Sequence, residues 1–381
     1  MSGKLTALAS LALDNVVAHA LGYAASCAGL LLTLALWIAG TAVAEGLRAE
    51  GLRAADAGAD IVVSLRALGR HAPIDASIAE QLRAINGVER VEGRVSGVVD
   101  VNGTPLLIIG VEPQRLASAS ELERGAAPKV SGECLVGAEI AHELGLYPGA
   151  HLALEGGAMT RVVSISGVLR ADDALAGSKT LIMDLAESQT LFGDTRLTQM
   201  CLWTRAGYAD AVARAVERMD GRLVATTRET TRAAIEHAAN RRSGGLSALL
   251  APLLALATVS FATLSWFAHA RRASEIAAYK LFGFSGGDTL FVTVIENALV
   301  ALALGTTAFL GAWIFVRGFD APLLAAWLIP DLDLFPTQRI PAAFTPLPLG
   351  LGLALALCTT LAGSILATWR LSLASTTKAF A

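Results

Sequence analysis

Charge is missing from four long stretches of this chain. No Asp, Glu, Lys or Arg interrupts Leu21–Ala44, Leu246–Ala268 or Leu347–Trp369, and Leu290–Val316 holds only Glu296. Charged residues make up 17 % of the sequence against 54 % hydrophobic ones, which excludes an ordinary soluble globular protein. About 20 apolar residues in a helix cross the hydrocarbon core of a bilayer, and a helix satisfies its own backbone there. Four membrane helices are therefore expected. Basic excess is missing too: 30 Lys and Arg face 33 Asp and Glu, which argues against a nucleic-acid surface. With only four cysteines, a disulfide-built scaffold is excluded. No G-x-x-x-x-G-K-[ST] or H-E-x-x-H element occurs, so the sequence offers no phosphate-cradling loop or zinc-protease helix of its own.

The apolar stretches are unevenly spaced, and the spacing sets the architecture. One span (21–44) is followed by about 200 residues of mixed sequence and then by three spans (246–268, 290–316 and 347–369). The first is too long, and too far from Lys4, for a cleaved signal core. Lys4 precedes span 1, Arg271, Arg272 and Lys280 lie between spans 2 and 3, and Arg370 and Lys378 follow span 4. The positive-inside rule then places residues 1–20, the 271–288 loop and the 370–381 tail in the cytoplasm. Residues 45–240, and the shorter 317–346 loop, fall in the periplasm or outside the cell. The expected localisation is the cytoplasmic (inner) membrane.

Residues 45–240 read as an α+β domain. IVVSL at Ile61–Leu65 is a strand signal. Val88–Val101 and Pro105–Val111 flank Asn102-Gly103, a hairpin signal. Asp75–Asn86 has helical spacing at Ile78, Leu82 and Ile85, with Asp75 to cap it and Gly87 to end it. Helices are expected at 138–144, 185–192 and 208–219, and strands at 151–155, 160–169, 180–184, 200–205 and 222–226. The order suggests two subdomains, one split in sequence around the other. Ala44–Ala57 and Thr230–Asn240 read as helices that carry spans 1 and 2 outward as a stalk, with a hinge expected at Arg241–Gly245. Cys134 and Cys201 lie in this domain and are expected as two buried free thiols, a disulfide between them being the alternative. Cys27 and Cys358 lie in spans.

Chemically suggestive groups are sparse. The six histidines are scattered and give no metal site. His142-Glu143 is half of a zinc-protease motif, but position 146 is Leu. Asp172-Asp173 reads as a solvated loop. Glu296 is a charge inside a span, costly and usually functional; snorkelling to the interface toward Lys280 or an arginine is the alternative. The loop between spans 2 and 3, RRASEIAAYKLF at Arg271–Phe282, is helix-forming and stopped by Gly283.

From this loop into span 3, RRASEIAAYKLFGFSGGDTLFVTVIENALVALA resembles the signature of FtsX-like, MacB-type ABC transporter permeases. Arg271, Arg272, Glu275, Lys280, Leu281, Gly283 and Glu296 fit its positions. Gly58-Ala59-Asp60-Ile61-Val62-Val63, Asn86–Val91 and Glu139–Gly149 echo the family elsewhere. The C-terminus departs from it, with Ser375-Thr376-Thr377-Lys378 in place of a proline-containing element. The resemblance implies a non-enzymatic permease that dimerises with a second copy or homologue and recruits a separate ABC ATPase. ATP and Mg would be bound by that partner, and no cofactor by this chain. Arg271, Arg272, Glu275, Tyr279, Lys280, Leu281, Phe282 and Gly283 would form the coupling helix that docks on the ATPase. ATP-driven motion of the stalk would extract or export a hydrophobic or amphipathic substrate such as a lipid, lipoprotein, haem, peptide or drug, with membrane lipid and a periplasmic adaptor as further partners. The alternative is a mechanical switch that activates a periplasmic protein such as a cell-wall hydrolase.

Overall fold

The structure is a computed structural model. It describes residues 2–101, 103–113, 122–156, 159–170, 180–271, 281, 283–319, 321, 324 and 341–373. The chain divides into two compact units. One is helical and takes in residues 1–47, 239–328 and 339–381; the other is built on Arg48–Ala238.

Among the described residues, the second unit carries one mixed sheet of eleven strands. Its strands are β1 (Ile61–Ala67), β2 (Arg70–Ala72), β3 (Val88–Val101), β4 (Thr104–Val111), β5 (Leu122–Gly125), β6 (Glu133–Gly137), β7 (His151–Glu155), β8 (Thr160–Leu169), β9 (Thr180–Asp184), β10 (Gln199–Thr204) and β11 (Leu223–Thr227). The order is β11-β1-β10-β3-β4-β9-β6-β8-β5, with β2 on β1 and β7 on β8. β3 explains how one sheet serves two subdomains. Its first half, Val88–Arg94, pairs with β10, and its second half, Val95–Val101, pairs with β4.

Two apolar cores follow from that division. Ile61, Val63, Leu82, Val91, Leu202, Val212 and Leu223 belong to one; Leu106, Ile108, Val136, Ile140, Leu154 and Met183 belong to the other. The first core draws on residues before 96 and after 196, and the second on those between. The split-subdomain expectation is therefore met at the level of the cores, on a sheet that is continuous. Phe192 packs against both.

Local chemistry accounts for the elements. Between β3 and β4, Gly103 has φ +84 and its N–H donates to Asp100 Oδ1 at 2.8 Å. Helix α5 (Leu185–Phe192) is capped by Asp184, which accepts from Ala186 N at 2.8 Å, and it ends at Gly193 in the left-handed region. Across β3 and β10, the paired Arg90 and Trp203 stack, the guanidinium 3.8 Å from the ring centroid. Helices α3 (Ile78–Arg83), α4 (Ala138–Glu143) and α6 (Ala209–Met219) complete the unit. Asp75 opens α3 through an Asx turn, accepting from Ser77 N at 2.8 Å, and that bond holds its carboxyl below the usual range.

The helical unit contains α1 (Ser2–Ala18), α8 (Gly286–Phe319), α9 (Pro346–Leu373) and the membrane portions of α2 (Ala20–Ala57) and α7 (Arg228–Arg271). α2, α7 and α8 are long and apolar enough to cross a membrane, and α9 holds the fourth expected stretch. Glycines set the close approaches. A Cβ on Gly40 of α2 would collide with Leu246 of α7, and one on Gly305 of α8 would stand 2.5 Å from Leu353 Cδ2 of α9. One on Gly352 of α9 would stand 2.9 Å from Ile38 Cδ1 of α2. Small residues of this kind let membrane helices pack backbone to backbone.

Two expectations change. Residues 1–20, read only as a cytoplasmic segment, are mostly the helix α1. Arg241–Gly245, read as a hinge, is helical: α7 runs unbroken from Arg228 to Arg271. Two glycines cost about 1 kcal/mol each in a helix, which good helix formers on both sides offset.

Candidate functional site

The loop read as a coupling helix falls largely outside the described residues: Arg272, Glu275, Tyr279, Lys280 and Phe282 lie there. Its flanks are described. Arg271 closes α7, Leu281 is exposed, and Gly283 has φ +88 with open space where a Cβ would stand. A left-handed residue at this point suits glycine and turns the chain toward α8.

The entry into α8 is built with care. Ser285 Oγ and Asp288 Oδ2 lie 2.7 Å apart, Ser285 N donates to the same carboxylate oxygen at 3.0 Å, and Asp288 N donates to Ser285 Oγ at 3.2 Å. This is a reciprocal capping box, with Asp in the place often taken by Glu. Just before it, the ring of Phe284 packs with Leu11 and Ile295 around Leu8, Ala12 and Val292. Phe284 is thus seated against α1 as well as on the start of α8.

Glu296 lies deeper on the same helix. It is 4 % exposed, which places it among protein rather than at a wet interface. Asn15 Nδ2 donates to its Oε1 at 2.6 Å, and Tyr23 Oη donates to its Oε2 at 3.1 Å. Three helices meet at this carboxylate: α1 through Asn15, α2 through Tyr23 and α8 through Glu296 itself. The buried face of α8 continues as Thr289, Thr293 and Asn297, whose side chains bond carbonyls one turn back. Lys280, the partner that snorkelling would give it, lies outside the described residues. The sequence did not single out Asn15 and Tyr23, because no periodic pattern marks a hydrogen-bond donor. The signal was available all the same: a carboxylate in an apolar run demands donors, and few polar side chains stand near the start of span 1.

A second arrangement lies where the long helices leave the sheet. Arg228, the first residue of α7, donates from its backbone to Asp60 O at 2.7 Å and from its guanidinium to Gly58 O at 2.8 Å. The same guanidinium is 3.0 Å from Asp60 Oδ1, and Asp60 Oδ2 accepts from Thr204 N at 2.8 Å. One turn further along α7, Arg232 pairs with Asp56 at 2.9 Å. The outer ends of α2 and α7 are so clamped to each other and to β1 and β10. Asp60 belongs to the Gly58–Val63 stretch noted in the sequence, which gave no hint of its role as a bridge.

Cys134 in β6 and Cys201 in β10 are buried and are not joined in a disulfide. Desolvation, helped by Glu187 and Glu133, pushes the Cys134 thiol up to about 12. Among the described residues no cluster of His, Cys, Asp and Glu is arranged to hold a metal ion.

Residues 247–375 match the family model of the FtsX-like permease C-terminal domain. No curated protein matches the sequence. The chain is similar to the extracellular domain of the noncanonic ABC-type transporter YknZ from Gram-positive bacteria, at 14 % identity and a TM-score of 0.35, over 43 % of this chain and 97 % of that one. It is similar too to the periplasmic region of MacB from Actinobacillus actinomycetemcomitans, at 13 % identity and a TM-score of 0.36, over 47 % and 94 %.

Proposed function

We propose that this membrane protein, whose residues 247–375 match the model of the FtsX-like permease C-terminal domain, is the permease subunit of an ABC transporter driven by a separate ATPase. α9 is the fourth membrane helix in this reading. The sheet unit lies outside the cytoplasmic membrane, and both termini and the 271–288 loop lie inside. The supporting observation is the match over residues 247–375, which begins in α7 and takes in the 271–288 loop, α8 and α9. Without a phosphate-binding loop in this sequence, ATP and Mg belong to the partner. The loop with Arg271, Arg272, Glu275, Tyr279, Lys280, Leu281, Phe282 and Gly283 docks on that ATPase. A second permease copy or homologue completes the assembly. The cargo is hydrophobic or amphipathic, since the work is delivered beside the bilayer.

The test is purification of the full chain from its native membrane. A nucleotide-binding ATPase should come with it, and its turnover should rise with a lipid or amphipathic substrate. Turnover that answers to a periplasmic protein and to no lipid would make the chain a mechanical switch. Absence of any ATPase would overturn the reading. Within the complex, Glu275→Lys should weaken ATPase association, whereas a helix held only by anionic lipid would be indifferent to it or slightly strengthened.

A further inference from the structure

We propose that Glu296 is a positioning residue: it fastens the N-terminal helix α1 to α8, so that α1 travels with the first turns of α8 when the loop before it is moved. The proposal rests on the permease reading for its functional arm and on geometry for the rest.

A carboxylate within a membrane helix is retained against its desolvation cost only where donors meet it. Here they come from two other helices, Asn15 at 2.6 Å and Tyr23 at 3.1 Å. α1 is held at a second place. Leu8 and Ala12 are buried with Val292, and Phe284, from the loop before α8, packs on the same cluster. From Leu8 to Asn15 is about two turns of helix, roughly 10 Å. α1 is therefore pinned along one face, at Phe284 and Val292 toward the loop and at Glu296 further in. Two contacts separated along an axis fix both the position and the tilt of a helix, where one would leave it free to pivot. The capping box of Ser285 and Asp288 stiffens the start of α8 between them. A push on the loop is delivered to α1 by Phe284 and to the deeper end of α1 by Glu296. Only one residue, His19, separates α1 from α2, and Tyr23 N still donates to His19 O at 3.1 Å. Displacement of α1 thus reaches the base of α2.

The experiment uses the full chain in membranes, with its four native cysteines replaced and a cysteine pair introduced at Ala12 and Val292. Cross-linking of that pair reports the seating of α1 on α8 without reference to ATP. Glu296→Leu removes the acceptor of both bonds and should slow cross-linking about tenfold. Glu296→Gln keeps an acceptor for Asn15 and a donor for the Tyr23 oxygen, so it should cross-link as the parent does. If Glu296→Leu fails to fold, Asn15→Ala, which leaves Tyr23 on the carboxylate, serves in its place and should slow the reaction severalfold. In the assembled transporter, the closed cross-link should leave ATP-driven function intact, because α1 and α8 move as one body. Parental cross-linking rates in both Glu296→Leu and Asn15→Ala would overturn the proposal. So would loss of ATP-driven function on cross-linking while ATPase binding persists. A parental chain that recruits no ATPase would instead overturn the permease reading and leave the cross-linking result standing.

Discussion

Gly46 tests whether the packing of α2 is as tight as its geometry requires. A Cβ at this position would stand 2.5 Å from the Pro341 carbonyl carbon and 2.6 Å from Ala342 Cα. These are backbone atoms, so no rotamer change relieves the contact. The segment they belong to is tied to α2 one residue later, where Ala343 N donates to Ala42 O at 2.9 Å. Gly46→Ala must push this segment away or bend α2. Overpacking of this kind costs about 1–3 kcal/mol, and loss of the Ala343 bond adds about 0.5–1.5. The helix-propensity gain of alanine returns less than about 1 kcal/mol. The net is about 0.5–4.5 kcal/mol, read as a fall of several degrees in the thermal unfolding midpoint of the purified protein in detergent. Gly22→Ala is the matched control, on the same helix with nothing within 4 Å of a Cβ; its midpoint should hold or rise. A Gly46→Ala protein as stable as the Gly22→Ala control would refute the claimed approach of residues 341–343 to α2.

Two further outcomes are expected. Proline at Ala234 removes a backbone bond inside α7 at a cost of about 3 kcal/mol; under the proposed function transport should then fall while ATP hydrolysis by the proposed partner survives, and full transport by a stable Ala234→Pro protein would show that this part of α7 need not be rigid. Cys134 should be alkylated at pH 8 about a thousandfold more slowly in the native protein than after denaturation, because a thiol raised to about 12 from 9.0 holds that much less thiolate; native labelling at the denatured rate, read by mass spectrometry, would remove it from the core.

Much of the sheet unit was legible because its elements are short and punctuated. Alternation and Asn-Gly gave β3 and β4, and the segments expected at 151–155, 160–169 and 180–184 coincide with β7, β8 and β9. Three strands were missed for different reasons. β2, Arg70–Ala72, is too short for any period to register. β5, LERG, has three exposed residues out of four. β6, ECLVG, is buried along its length between β8 and β9, so it shows no alternation to detect. α1 escaped because it abuts span 1 and mixes Ser, Thr and Asn among its apolar residues. The site was less legible than the fold. Glu296 stood out by its cost, but its partners Asn15 and Tyr23 lie more than 270 positions away. Asp60 is an ordinary residue until Arg228 and Thr204 are brought to it. A sequence displays which group will need partners; only the packing of the chain decides which ones it gets.

The expected hinge and the observed α7 differ in what they allow the chain to do. A flexible joint at 241–245 would absorb a movement of the membrane half of α7 before it reached Arg228. The observed helix has no such joint. The outer end of α7 is in turn fixed by Arg228 to Asp60 and Gly58, and Arg232 ties it to Asp56 of α2. The interior breaker in α7 is Pro252, within the apolar half. If bending is needed in the transport cycle, the freed carbonyl and ring clash at that proline make it the place of least resistance. The same reasoning applies to α2, which has no proline between Ala20 and Ala57 and whose Gly46 and Gly51 are filled by neighbours, Pro341 and Ile235 respectively. Glycines packed this way serve contact rather than flexibility. Under the proposed function, the ion pairs at Asp56 and Asp60 hold the ends of α2 and α7 on the sheet, and Pro252 marks the pliable turn of α7.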